Sequence, residues 1–186
     1  DNAATTKLDI EAFEAMKPFL LEEYGNASQP YFFSKKAKMA LKDARKQIAR
    51  CINAEPEEIF FTSGGTESDN WVIKNFGLST DIRRIITSEI EHHAVLNACK
   101  HMEEMGVSLV LLPVTNTGLV KSETLAKCFE LGDASVASCE TTLVSIMLAN
   151  NEIGTIQNIK ELSEIAHRNG ACLLYTSPSP RDGLLS

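Results

Sequence analysis

Three short segments of this chain gather residue types suited to holding an anion and moving protons. The first is Phe61-Thr62-Ser63-Gly64-Gly65-Thr66-Glu67-Ser68-Asp69-Asn70. A strand-like apolar run ends there, two glycines allow a close turn, and a helix is expected to begin at Thr66. A helix's first turn carries unpaired N–H groups and the positive end of the dipole, so a phosphate fits, and Thr66 adds a hydroxyl donor. The same residues also read as an ordinary capping motif, with Thr66 as cap and Asp69 three residues on. The pattern is neither GxGxxG nor GxxxxGK(S/T), so dinucleotide and P-loop readings are weak. The second segment is Glu91-His92-His93. An imidazole titrates close to neutral pH, although alone the pair reads as surface or helix-start polar groups. Adjacent histidines diverge on a helix or strand, which disfavours a zinc site. The third is Asn150-Asn151-Glu152, by itself a turn, but placed after an apolar run of strand length. In open α/β sheets ligands sit at the carboxyl ends of strands.

The elements that must position these residues alternate between two periods. Asp9 is expected to cap a helix carrying Ile10, Phe13 and Leu20 on one side and ending near Gly25. From Lys35 to Asn53, residues Ala37, Leu41, Ala44, Ile48 and Ile52 recur at three- and four-residue spacing, an amphipathic helix with one buried stripe. Ile59-Phe60-Phe61-Thr62 reads as a strand, followed by a helix from Glu67 to about Asn75. Then come a strand at Arg84–Thr87, a helix at Ala94–Met105 stopped by Gly106, and a strand at Val107–Leu112 halted by Pro113. Asn116-Thr117-Gly118 marks a turn, and Lys121–Glu130 is a helix ending near Gly132. Leu143–Leu148 reads as a strand, and Ile159, Leu162, Ile165 and Ala166 outline a last helix closed by Asn169-Gly170. The fold class is α/β, a mostly parallel sheet flanked by helices, with no internal repeat.

Composition narrows the function classes. Apolar residues make up 44% of 186, enough for a core, and the net charge of −7 argues against binding a nucleic-acid backbone. No stretch approaches the about 20 apolar residues of a membrane span, and the first residues do not read as a secretory signal. Five widely spaced cysteines (Cys51, Cys99, Cys128, Cys139, Cys172) match neither a disulfide framework nor a metal site and fit a reduced, cytoplasmic setting.

Five motifs in order resemble one family. Asp1-Asn2-Ala3-Ala4-Thr5-Thr6, Tyr24-Gly25-Asn26, the Thr62 to Asn70 segment, Glu91-His92 and Val144 to Gly154 resemble cysteine desulfurases of the NifS type, in the class-V aminotransferase group. The resemblance spans residues 1–171 and implies the type I fold of pyridoxal 5'-phosphate (PLP) transferases, of which this is part of the large domain. It implies that Gly65 and Thr66 hold the PLP phosphate and that His92 stacks on the pyridine ring and assists proton transfer. Asn151 is placed near the cofactor's phenolic oxygen and the substrate. The Asp1 to Thr6 loop resembles one lining the substrate side. The reaction implied converts L-cysteine to L-alanine and leaves a persulfide on an enzyme cysteine. The sulfur then passes to an acceptor protein, for iron–sulfur clusters or thiolated tRNA, from a homodimeric parent.

The chain also departs from the family. Gly25-Asn26-Ala27-Ser28 lacks the proline usual after Gly-Asn. The family's pyridine-nitrogen aspartate would fall just past Ala171, with the anchoring lysine, mobile-loop cysteine and carboxylate-binding arginine further on, so none can be assigned. Residues 172–186 lose all periodicity, and Cys172 to Asp182 back-translates to DNA resembling a transposase sequencing adapter, so this tail is expected to be non-native. The fragment itself is expected to be inactive. Alternatives are a selenocysteine lyase or other class-V PLP lyase, and a truncated, non-enzymatic binding module.

Overall fold

The computed structural model describes residues 6–79, 84–130 and 142–175, without the side chains of 76–79. The expectations placed on Asp1 to Thr5, on Gly132, on Cys139 and on the tail from residue 176 lie outside the described residues. Among the described residues two compact units are present, Lys7–Phe61 and the part from Thr62 onward together with Thr6.

In the larger unit, helix α3 (Gly65–Ser79) precedes strand β1 (Arg84–Ser88), helix α4 (His93–Glu104), strand β2 (Ser108–Leu112) and helix α5 (Ser122–Glu130). Strand β3 (Thr142–Ser145), helix α6 (Ile159–Arg168) and strand β4 (Cys172–Leu174) follow. The four strands pair in the order β2-β1-β3-β4, all parallel. Successive strand residues point to opposite faces, and both faces are covered. On one side Ile85 and Leu143 pack with Ile73 of α3 and with Val95, Ala98, Cys99 and Met102 of α4. On the other, Ile86 and Val144 pack with Leu125 of α5 and with Leu162 and Ala166 of α6. The chain leaves β1 through α4 to reach β2 on one side, then returns through α5 past β1 to β3. The strand order therefore reverses between β1 and β3, and their carboxyl ends lie side by side.

In the smaller unit the expected helices form as α1 (Ile10–Leu21) and α2 (Lys35–Ile52). Asp9 caps α1 by accepting the amides of Glu11 and Ala12, and α2 stops where Asn53 takes the left-handed conformation. Gly25 is required by close packing, since a Cβ there would lie 2.5 Å from the Phe33 carbonyl oxygen.

Three expectations are corrected here. Ile59 to Thr62 forms no strand: Ile59 is buried, but Phe60 and Phe61 are exposed, and the segment meets no partner strand among the described residues. An apolar run becomes a strand only where another strand accepts its hydrogen bonds. The stripe along α2 has helical spacing but is not buried, with Leu41, Ile48 and Ile52 all exposed and Ala49 the buried residue. The last strand expected, Leu143–Leu148, is shorter, although Ile146 and Met147 continue it as buried irregular chain.

Candidate functional site

Helix α3 begins one residue earlier than the sequence predicts, at Gly65. Its first backbone bond runs from the Ser68 amide to the Gly64 carbonyl (3.1 Å), so the amides of Gly65, Thr66 and Glu67 have no helical acceptor. Thr66 is therefore inside the first turn and is not the cap. The turn is instead closed by Glu67, whose carboxylate accepts both the amide and the hydroxyl of Ser63 at 2.6 Å. Those two bonds hold the Glu67 carboxyl below its ordinary range. Thr62 and Ser68 join hydroxyl to hydroxyl (2.7 Å) and both approach the Gly64 carbonyl. Asp69, the expected capping partner, is instead buried in α3. The result is a narrow turn, half-buried at Gly65 and exposed at Thr66 and Glu67, with a threonine hydroxyl and three amides that have no hydrogen-bond partner among the described residues, a donor set that suits a phosphate group.

His92 follows β1 after the short loop Glu89-Ile90-Glu91 and caps α4, its Nδ1 accepting the Ala94 amide at 3.2 Å. That bond uses the Nδ1 lone pair, so the neutral ring carries its proton on Nε2. The imidazole is exposed, at an element boundary from which a ligand can be touched. Asn151 lies beyond β3 in the turn 151–153, also exposed. Thus His92 and Asn151 leave the carboxyl ends of the two strands between which the sheet reverses direction, where open α/β sheets place ligands. Helix α3 packs against α4, the helix that His92 caps, and its Asp69 is close enough to act electrostatically on Glu91.

Sequence reading missed the residues that build this end of the sheet. Glu91 is 5% exposed, and its Oε1 accepts the Ser88 hydroxyl (2.7 Å) and the Met147 amide (2.8 Å). Burial pushes its carboxyl up to about 7, partly opposed by those two bonds and reinforced by Asp69. The Asn150 side chain donates to the Ile90 carbonyl (2.9 Å) and accepts the amides of Glu152 and Ile153. Gln157, also buried, ties the turn before α6 to the loop after β2. Polar residues at irregular spacing carry no periodic signal, so only the buried partners reveal them.

An aminotransferase class-V family profile matches residues 1–176. The chain belongs to the class-V aminotransferase family. This class-V chain is 49% identical over 168 residues to the cysteine desulfurase IscS of Dictyoglomus turgidum, covering 89% of itself and 41% of that protein. It is 47% identical over 171 residues to the cysteine desulfurase IscS of Methanosarcina thermophila, covering 91% of itself and 40% of that protein. Among solved structures, a NifS-like protein superposes with a TM-score of 0.85 at 38% identity, over 94% of this chain and 47% of that one. The structure of SspA in complex with cysteine gives 0.84 at 32% identity, over 94% of this chain and 49% of that one. The fold is therefore the type I fold of PLP-dependent enzymes, in part. The class-V chain spans about two fifths of the length of the curated relatives it matches.

Proposed function

We propose that this chain supplies the phosphate-and-ring side of a PLP site in a cysteine desulfurase, and that the 186 residues alone do not turn over. One observation carries the reading. His92 and Asn151 emerge at adjacent strand ends, at the point where the sheet reverses, on an end that α3 also approaches.

The donor set fits the cofactor. The amides of Gly65 and Thr66 and the Thr66 hydroxyl would hold its phosphate. The His92 ring would cover the pyridine face with its Nε2 proton available for transfer, and the Asn151 amide would reach the phenolic oxygen. Bound there, PLP supplies an electron sink for carbon–sulfur cleavage of L-cysteine to L-alanine. The residues of this chain orient it, exclude water from one face, and hold a proton at His92 Nε2. The cysteine-bound neighbour and the desulfurase relatives support cysteine as substrate. A sulfur-accepting protein partner, a homodimeric parent and a cytoplasmic setting belong to the same proposal. So does inactivity, because no lysine here stands at the family's anchoring position.

Titrating PLP into the purified chain and following its absorbance tests this. Wild type should bind, Thr66→Ala should bind about tenfold more weakly through loss of one charge-assisted bond, and borohydride should fix no stoichiometric adduct. Equal binding by the variant would remove the phosphate site, and a stoichiometric adduct at one lysine would overturn the proposed inactivity.

A further inference from the structure

Two reciprocal hydrogen bonds cross from the β1 loop to the β3 loop. From the β1 side, the Glu91 carboxylate accepts the Met147 amide (2.8 Å). From the β3 side, the Asn150 amide group donates to the Ile90 carbonyl (2.9 Å). Each side chain belongs to the residue next to a candidate ligand-contacting one, Glu91 before His92 and Asn150 before Asn151. Both are at least nine-tenths buried. Met147 closes the arrangement, its sulfur lying 3.4 Å from Asn150 Nδ2 while its amide serves Glu91.

We propose that Glu91 and Asn150 are positioning residues that lock the two loops into one unit and so fix His92 relative to Asn151. The proposal rests on the assignment of those two residues to the ligand. The physical case is that strand pairing does not do this task. The β1–β3 ladder ends at Thr87 and Ser145, five and six residues before His92 and Asn151. Beyond it, the described hydrogen bonds that span the two loops are those of Glu91 and Asn150. Asn150 also sets the turn on its own side by accepting the amides of Glu152 and Ile153, an Asx turn that aims Asn151 outward. Glu91 has a second oxygen, Oε2, that is buried with no hydrogen-bond partner among the described residues. A buried acceptor left unpaired is costly, and its retention beside His92 fits a residue kept for position, since a well-packed apolar side chain would avoid that cost.

The two side chains can be separated from their local roles by substitution. Asn150→Asp keeps the oxygen that accepts Glu152 and Ile153 but removes the donor to Ile90. Asn150→Ser adds no charge and keeps an acceptor for the turn, while its shorter hydroxyl does not reach the Ile90 carbonyl. Glu91→Gln keeps an acceptor for Met147 and Ser88, whereas Glu91→Ala removes it.

The test uses the 186-residue chain, isotope-labelled, with NMR relaxation of the His92 ring and the Asn151 side-chain amide. Asn150→Asp or Asn150→Ser should loosen His92 on the opposite loop as well as Asn151. Glu91→Ala should loosen Asn151 as well as His92, and Glu91→Gln should restore wild-type values. PLP affinity should fall about tenfold in Asn150→Ser and Glu91→Ala, as loss of one such bond implies, while affinity for inorganic phosphate stays within about twofold because no donor of the α3 turn is touched. If each substitution perturbs only its own loop, or if Glu91→Gln behaves like Glu91→Ala, the proposal is overturned. If wild type does not bind PLP at all, the cofactor assignment fails, while the relaxation data still decide whether the loops are coupled.

Discussion

The side chain of Gln157 brackets Leu119: its Nε2 donates to the Gly118 carbonyl at 2.7 Å and its Oε1 accepts the Val120 amide at 2.9 Å. Both bonds are buried, so removing the side chain strands two backbone groups. Gln157→Ala should cost about 2–4 kcal/mol, read by urea denaturation at pH 7. Gln157→Glu keeps the acceptor but sets a carboxylate against the Gly118 carbonyl, and it should be no more stable than the alanine variant.

Gly118 itself provides a sharper comparison. Its φ is +78°, and a Cβ added there would lie 2.5 Å from Ile153 Cδ1. Gly106 has a φ of +96° with open space around it. Gly106→Ala should cost about 1 kcal/mol for backbone conformation alone. Gly118→Ala should cost that amount plus a smaller overlap, because Cδ1 is the tip of an exposed side chain that can swing aside while Thr155 Oγ1 stands at 3.0 Å. Adding Ile153→Val, which deletes Cδ1, should recover part of the second contribution and none of the first. Thermal melts of the three variants beside wild type measure this directly.

Glu91 should impose a pH dependence of known sign. Its folded-state carboxyl is pushed up to about 7 from 4.5, chiefly by burial. The groups facing it are Ser88, the Met147 amide, Asp69 of α3 and Cys99 of α4. Because the folded state binds the proton more tightly, stability falls as pH rises from about 4.5 to about 7 and levels off above that. Glu91→Gln cannot titrate, so the stability difference between wild type and variant should shrink or reverse across that window. A difference that does not change with pH would refute the assignment.

The cysteines should divide by burial. Cys51 and Cys172 are exposed, whereas Cys99 is buried with its thiol pushed up to about 12, and burial also raises Cys128. Thiolate is the reactive form. Iodoacetamide at pH 8 followed by peptide mapping should label Cys51 and Cys172 first, with Cys99 labelled only after unfolding.

What the sequence disclosed depended on periodicity. Val95, Ala98, Cys99 and Met102 recur at helical spacing, and α4 buries that row. Asp9 and Asn53 mark helix ends through local chemistry that needs no tertiary contact. Ile59 to Thr62 misled because β-forming residues were present and a partner strand was not. At the candidate site, His92 and Asn151 enter as candidates because family motifs name them. In the sequence Glu91 stands out only as His92's neighbour, and Asn150 only as part of a turn. Their partners lie 56 and 60 residues away in sequence, a separation that only the parallel pairing of β1 with β3 closes.

The reversal of strand order between β1 and β3 has a consequence for how the sheet can grow. Further strands can be added only at the outer margins, beside β2 or β4, since both neighbours of β1 and of β3 are already taken. The spacing of the crevice between the inner pair is thus indifferent to such lateral extension. Whatever completes the sheet can supply new groups from the flank, but it inherits a gap whose width four strands have already set.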